Sequence, residues 1–179
     1  MLDKSVPYIP FTMVRKPDAS PLPTYQLPEG YRIVFYQPGD EKDWAMIETQ
    51  VAEFDSTEEA LSYFQRSFAP FSNELPKRMM FIENPQGKKV ATFTAWRTDD
   101  TRKPRLHWLA VLPEEQGKGL AKSLVIRVTE LLHELYPDQE LYLTTQTWSY
   151  PAVKLYQKLG YEILQDQNYS QIIDILNNR

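Results

Sequence analysis

The hydrophobic period changes abruptly in the second half of the sequence, and this change constrains the fold more than any other feature. Arg105 to Val111 is a short strand-like run, whereas Gly117 to Tyr136 repeats apolar residues every three or four positions. The repeating residues are Leu120, Leu124, Val128, Leu131 and Leu135. This spacing predicts an amphipathic helix, which Pro137 ends. The sequence therefore predicts a strand, a loop containing Gly117 and Gly119, and a helix.

Patterns elsewhere in the chain predict further strands and helices. Tyr31 to Tyr36 favours a strand, and Asp40 is placed to cap the helix that follows. Residues 78–96 hold two apolar runs around a turn at Asn84 to Gly87, which is typical of a β-hairpin. The remaining predictions are helices over Glu41 to Phe54, around Leu61, Phe64 and Phe68, and over Ala152 to Leu159, and strands over Leu141 to Thr145, Tyr161 to Leu164 and Ile172 to Leu176.

Proline is concentrated near the amino terminus. Of the 14 prolines, half precede residue 39, so this region cannot form a regular helix. We interpret residues 1–30 as an extended arm packed on the domain. The alternative, a polyproline ligand for a partner protein, depends on Pro21, Pro23 and Pro28, which have no supporting flanking pattern.

The composition narrows the class of protein. A chain of 179 residues with 42% hydrophobic and 25% charged residues is expected to form one domain, residues 1–179. Its net charge of −4 disfavours nucleic-acid and membrane partners, and its two histidines and lack of cysteine disfavour a metal site. With neither a signal-like start nor a long apolar run, a cytoplasmic protein is expected.

The loop before the predicted long helix suits an anionic ligand. The first N–H groups of a helix lack backbone partners, and glycines at 117 and 119 let an oxyanion approach the main chain, with Lys118 as a counter-charge. The loop fits neither the GxxxxGK[ST] pattern of nucleotide triphosphatases nor the GxGxxG pattern of dinucleotide sites. On these residues alone, a phosphate site and a simple chain turn both remain open.

Two spaced motifs stand out in the second half of the sequence. Gln116, Gly119 and Ala121, within LHWLAVLPEEQGKGLAKSL, match a QxxGx[GA] loop and resemble the pyrophosphate loop of the GNAT acetyltransferases. Downstream, SYPAVKLYQKLGYE (Ser149 to Glu162) is similar to the family's later helix, with serine where the family usually has asparagine. The resemblance extends over about residues 79–164 and implies an α/β (α+β) GNAT fold, with a mixed, mostly antiparallel sheet of six to seven strands and about four helices.

The resemblance also implies an activity. The protein would move an acetyl group from acetyl-CoA to a primary amine of a small molecule, peptide or protein, by direct attack and without a metal. Coenzyme A would be held by the end of the central strand, by the glycine loop and by the serine before the later helix. The implied residues are Leu109, Ala110, Val111, Gln116, Gly117, Lys118, Gly119, Leu120, Ala121 and Ser149.

The resemblance suggests Tyr156 as the group that protonates the departing thiolate, although it is also expected to be a core aromatic. Strand alternation places His107 on one face with Arg105, and Leu106 and Trp108 on the other. His107 is therefore either a general base in the cleft or a structural histidine. Arg105 occupies the position where histone-acetylating relatives carry a glutamate base, so that role is not inherited there.

Other assignments stay open at this stage. Glu53 and Asp55 either receive the acceptor amine or form a solvated helix end. A non-catalytic acyl-CoA sensor and an interaction module using the proline-rich arm are the rival functions. A homodimer is compatible with the sequence.

Overall fold

The computed structural model describes residues 4–97 and 103–179. Within them the chain forms seven strands and six α-helices. The strands are β1 (Pro10–Arg15), β2 (Arg32–Phe35), β3 (Met79–Glu83), β4 (Lys89–Trp96), β5 (Arg105–Val111), β6 (Leu141–Gln146) and β7 (Glu162–Ile163). The helices are α1 (Glu41–Gln50), α2 (Thr57–Ser67), α3 (Leu75–Arg78), α4 (Leu120–Leu135), α5 (Tyr150–Lys158) and α6 (Tyr169–Asn177).

The strands form one mixed sheet in the order β2-β3-β4-β5-β6-β1-β7. All neighbouring pairs are antiparallel except β5 and β6, which run parallel. The predicted hairpin is confirmed as β3 and β4, whose turn is held by Asn84: its side-chain oxygen accepts bonds from the N–H groups of Gln86 and Lys88. The predicted mixed, mostly antiparallel sheet is therefore correct.

The amino-terminal arm contributes a strand to the sheet. β1 lies between β6 and β7 and pairs with β6 along its whole length, from Pro10 opposite Gln146 to Arg15 opposite Leu141. Phe11 is buried, and the buried guanidinium of Arg15 donates to the carbonyl of Leu159. Six of the 30 residues interpreted as an arm thus form a strand inside the sheet.

Three predicted elements differ in the structure. Residues 172–176, predicted as a strand, belong to helix α6, because Ile172 and Leu176 are four residues apart and bury one helical face. Helix α1 ends at Gln50 rather than at Phe54, because the backbone turns at Ala52, which has φ 65°. The predicted strand over Tyr161 to Leu164 shortens to the two residues of β7.

An aromatic cluster joins α1 and α2 to the sheet. Trp44 is fully buried at its centre and contacts the rings of Phe54, Tyr63, Phe64, Phe68 and Trp108. Aromatic side chains bury a large apolar area each, so this cluster fixes α1 and α2 against β5. Within residues 4–97 and 103–179, no helix combines the length and apolar character needed to span a bilayer.

Candidate active site

A cleft runs between β5 and β6 and continues to the start of α4. It consists of three adjoining cavities of about 300, 120 and 340 Å³. Leu109 and Ala152 line all three of them. The cleft opens because the parallel strands β5 and β6 share one register pair, Arg105 with Tyr142, among the described residues. Beyond that pair, the edge of β5 that faces β6 is available to a ligand.

The outer cavity, of about 340 Å³, lies at the amino-terminal end of α4. It is lined by Gln116, Gly117, Gly119, Leu120 and Ala121. The φ angles of the two glycines are 79° and 81°, and no heavy atom lies within 4 Å of a Cβ built on either. In the described chain, no protein acceptor is found for the main-chain N–H groups of residues 117–122. A cradle of unpaired N–H groups at the start of a 16-residue helix fits the diphosphate of coenzyme A.

Lys118 is not among the residues that line this outer cavity. Its ammonium lies 2.6 Å from a carboxylate oxygen of Glu115 and 2.9 Å from the hydroxyl of Tyr31. These two hydrogen bonds raise the pKa of Lys118, and the bond with Lys118 is the largest cause that lowers the pKa of Glu115. Lys118 thus differs from the other predicted cofactor residues, because its ammonium is paired with Glu115 and the residue is absent from the lining of the three cavities.

The remaining predicted cofactor residues lie together along the cleft. The middle cavity is lined by Leu109, Ala110, Val111, Gln116 and Ser149. The side-chain amide of Gln116 donates to the carbonyl of Val111 at 3.1 Å, which holds the loop against the end of β5. Ser149 is between 33 and 40 positions from the other four residues in the sequence, and the fold brings all five to one groove.

A β-bulge reshapes β5 at the inner end of the cleft. Thr92 and Thr94 of β4 are two residues apart, but their partners on β5, Ala110 and His107, are three apart. The extra residue is accommodated at Trp108, which has φ 57°. The prediction that Trp108 faces away from His107 was therefore wrong: both rings contact the aromatic cluster and each other.

His107 lines the inner cavity as a neutral imidazole. Burial, and secondarily the positive charge of Arg105, lower the pKa of His107 to about 3. Its ring packs near those of Phe68 and Trp108. A base with so low a pKa gives little driving force for taking a proton at neutral pH. The environment of His107 thus favours the structural alternative over the general base.

Tyr156 lines the same inner cavity from α5. The residue is 6% exposed, and its ring centroid lies 6.0 Å from that of Tyr161. Burial is the main cause that raises the pKa of Tyr156, and Tyr161 adds to it. The hydroxyl therefore keeps its proton at neutral pH and is available as a donor within the cavity.

Glu53, and not Asp55, lies at the cleft. Glu53 lines both the inner and the middle cavities, because the chain turns at Ala52 directly after α1. Glu53 reaches solvent, yet the surrounding protein removes part of the hydration of its carboxyl. This desolvation raises the pKa of Glu53, and the charge of Lys4 partly opposes the rise.

Sequence reasoning missed several residues of the inner cavity. Tyr8 and Pro10 come from the arm, Thr144 and Gln146 from β6, and Arg105 from the start of β5. Strand alternation can indicate which residues share a face, but it cannot indicate that β1 lies beside β6. The polar end of β6, in the run TTQT, was the available signal for a site there.

The sequence profile of the acetyltransferase (GNAT) family matches residues 42–161, from the second residue of α1 to the residue before β7. This match covers more than half of the chain and includes both walls of the cleft. The chain belongs to the acetyltransferase (GNAT) family. Its fold agrees with this assignment. A GCN5-related N-acetyltransferase from Sphaerobacter thermophilus superposes on 87% of this GNAT chain, with a TM-score of 0.68 and 22% sequence identity.

Two curated proteins are similar in sequence to this GNAT chain. An N-alpha-acetyltransferase from Saccharolobus solfataricus is 34% identical over 61 residues, which is 34% of this chain and 36% of the relative. An S-alkylcysteine N-acetyltransferase from Bacillus subtilis is 25% identical over 115 residues, which is 60% of this chain and 65% of the relative. The chain thus spans about a third of the Saccharolobus protein and just under two thirds of the Bacillus protein. It spans 48% of the Sphaerobacter protein.

Proposed function

We propose that this protein is an N-acetyltransferase that transfers an acetyl group from acetyl-CoA to a primary amine within a ternary complex. One observation carries the proposal: a continuous cleft joins the glycine cradle at the start of α4 to an inner cavity that holds Glu53 and Tyr156. The family membership supports acetyl transfer as the reaction type.

In this proposal, the chain holds the cofactor by its main chain. The N–H groups of residues 117–122 bind the diphosphate, and the free edge of β5 from Leu109 to Val111 binds the pantetheine arm as an added strand would. Ser149 lines the inner and middle cavities, beside the β5 edge. Acetyl-CoA, when bound, supplies a thioester whose C–S bond breaks as the C–N bond to the amine forms.

Two side chains then handle the protons. An ammonium near pKa 10 must lose a proton before it can act as a nucleophile, and Glu53 is the ionisable carboxylate at the inner cavity that can accept it. Tyr156 keeps its proton at neutral pH and donates a hydrogen bond to the sulfur as negative charge develops there. His107 stays neutral and packs against the acceptor site.

The printed names of the two curated relatives support an amine acceptor. One is described as an N-alpha-acetyltransferase and the other as acting on S-alkylcysteine. Both names refer to transfer to nitrogen. We therefore propose nitrogen, rather than oxygen, as the acceptor atom.

A non-catalytic acyl-CoA sensor is the second candidate. Ser149 favours it, because serine reaches less far than the asparagine of the family motif and leaves the middle of the cleft less constrained. The two functions share the cofactor cradle and differ in whether the acetyl group leaves.

Measuring free CoA thiol separates these functions. Acetyl-CoA is incubated with the protein and a panel of primary amines, and a thermal-shift titration with acetyl-CoA runs in parallel. We expect both stabilisation by acetyl-CoA and amine-dependent thiol release. Stabilisation without thiol release would indicate the sensor, and the absence of both would contradict the cofactor site.

A further inference from the structure

The inner cavity contains two opposite charges. Of the described residues that line it, Glu53 and Arg105 carry a formal charge at neutral pH. The other lining residues are apolar, aromatic or uncharged polar groups, and His107 is neutral there. An acceptor in this cavity therefore meets one carboxylate and one guanidinium.

Arg105 has no counter-ion among the described residues. No ion pair or hydrogen bond joins its side chain to another residue of segments 4–97 and 103–179, whereas Arg32, Arg78 and Arg127 are each paired with a glutamate. Its charge is close enough to affect the His107 ring on the cavity wall. A half-buried guanidinium presents a planar fork of donors that fits a carboxylate with two parallel hydrogen bonds.

The cavity also limits the size of the acceptor. Its volume of about 300 Å³ suits a single small molecule, and Tyr8 and Pro10 of the arm form part of its wall. Tyr8 is 55% exposed and rests against the ring of Trp148, with centroids 4.9 Å apart. An apolar side chain of the acceptor can pack against this ring while its polar groups face inward.

We infer that the acceptor is an amino acid with a free carboxylate, whose ammonium faces Glu53 and whose carboxylate is bound by Arg105. This inference rests on the proposed function and adds the substrate class. It distinguishes a free amino acid from the amino terminus of a protein, because the latter has an amide where the amino acid has a carboxylate. Lys4 is a further cation close enough to lower the pKa of Glu53, but it lies over the Trp148 ring and does not line the cavity.

The test compares matched acceptors. Each of the standard L-amino acids is paired with its amide, and kcat/KM is measured for both by release of free CoA thiol. The two members of a pair share the amine and the side chain and differ in the carboxylate. We expect kcat/KM of the best amino acid to exceed that of its amide by about 10-fold or more. The amide lacks the carboxylate and therefore loses one charge-assisted, bidentate contact.

Variants of Arg105 assign the preference to this residue. Because the register pairs of Arg105 with Trp96 and Tyr142 involve the backbone, Arg105→Met keeps the strand pairing. We expect Arg105→Met to raise KM for the amino acid about 10-fold with little change in kcat, and to leave the amide unaffected. Arg105→Lys should restore part of the preference. Arg32→Met, at an exposed arginine of β2, is the matched control and should change neither acceptor.

Each outcome decides the inference. Equal turnover of acids and amides, or an acid preference that survives in Arg105→Met, would overturn the carboxylate site and leave the acetyltransferase proposal in place. Binding of acetyl-CoA without thiol release from any acceptor would overturn the transferase proposal, and this inference with it.

Discussion

Arg105 on β5 is paired in register with Tyr142 on β6, and the two strands share no further register pair in the part of the chain that is described. Since β5 and β6 are parallel neighbours at the centre of the sheet, their divergence beyond this pair opens the groove. The cavities that follow are lined on one side by β5 and on the other by β6 and α5. This divergence is the structural origin of the proposed cofactor site.

Tyr156→Phe should lower kcat about 10- to 100-fold, the equivalent of one hydrogen bond to a developing charge. Affinity for acetyl-CoA should stay within a few-fold, because the glycine cradle is untouched. Steady-state kinetics and calorimetry measure the two quantities. Tyr161→Phe is the matched control, since the Tyr161 hydroxyl pairs with Thr129 rather than lining the cleft. Unchanged kcat in Tyr156→Phe would remove this residue from the reaction.

Glu53→Gln should remove the decrease of kcat/KM at acidic pH and lower the pH-independent kcat/KM by about 100-fold, because the general base is lost. Because desolvation raises the pKa of Glu53 above 4.5, activity of the unmodified protein should fall as pH decreases through that raised pKa. Asp55→Asn, two residues away and outside the cavity lining, should keep this decrease. A decrease at acidic pH that persists in Glu53→Gln would assign the base elsewhere.

Glu48→Gln should make the stability of the protein less dependent on pH. Glu48 is fully buried, and both of its carboxylate oxygens lack a hydrogen-bond partner. Burial raises the pKa of Glu48 well above 4.5, so the native state retains a proton that the unfolded state loses. The free energy of unfolding should therefore fall as pH rises above 4.5, with a slope of up to about 1.4 kcal/mol per pH unit until the folded pKa is reached.

Urea denaturation between pH 4.5 and 8 measures this slope. Glu48→Gln cannot ionise and should show a smaller decrease in stability with pH than the unmodified protein. Glu58→Gln, at an exposed position of α2, should retain the original slope. Parallel curves for Glu48→Gln and the unmodified protein would mean that Glu48 does not hold its proton in the native state.

Arg15→Met should destabilise the protein by about 2 to 4 kcal/mol, because charged hydrogen bonds are lost and buried acceptors are left unpaired. The guanidinium of Arg15 bonds to the carbonyls of Leu159 and Ser20 at 2.9 and 2.5 Å, and to a ring nitrogen of His133 at 2.7 Å. These contacts join β1 to α4 and α5. Arg32→Met removes an exposed pair and should cost less than about 1 kcal/mol in the same denaturation experiment. Equal costs would show that β1 is not anchored by Arg15.

The local parts of the fold were predictable from the sequence. The strand, glycine loop and helix over residues 105–135 depend on neighbouring residues, so hydrophobic period and chain breakers predicted them. Gly117 and Gly119 lie at the cleft because they belong to the loop of this strand–loop–helix unit. The strand predicted over residues 172–176 was wrong. The β-branched isoleucines at 172 and 173 favour a strand, but the four-residue spacing of the buried Ile172 and Leu176 is that of a helix.

The long-range parts were not predictable. The insertion of β1 between β6 and β7 depends on pairing of β1 with residues of β6 that lie 126 to 136 positions away in the sequence. The bulge at Trp108 breaks the strand alternation from which the direction of the Trp108 side chain was inferred. The positive φ of Ala52 turns the chain so that Glu53 reaches the cleft. The pairing of the Lys118 ammonium with the Tyr31 hydroxyl joins residues 87 positions apart, which no local pattern indicates. In each case tertiary contacts override a local pattern.

Calorimetric titration with coenzyme A of the protein and of two glycine variants tests the cofactor cradle most directly. Gly119 and Gly87 both have positive φ and open space around a Cβ, so Gly119→Glu and Gly87→Glu carry similar backbone strain, but only Gly119 lines the cleft. We predict that Gly119→Glu weakens binding by about 100-fold or more, because a carboxylate occupies the diphosphate position at the helix start, and that Gly87→Glu leaves binding unchanged. Equal affinities for the two variants would contradict the assignment of the glycine loop to coenzyme A.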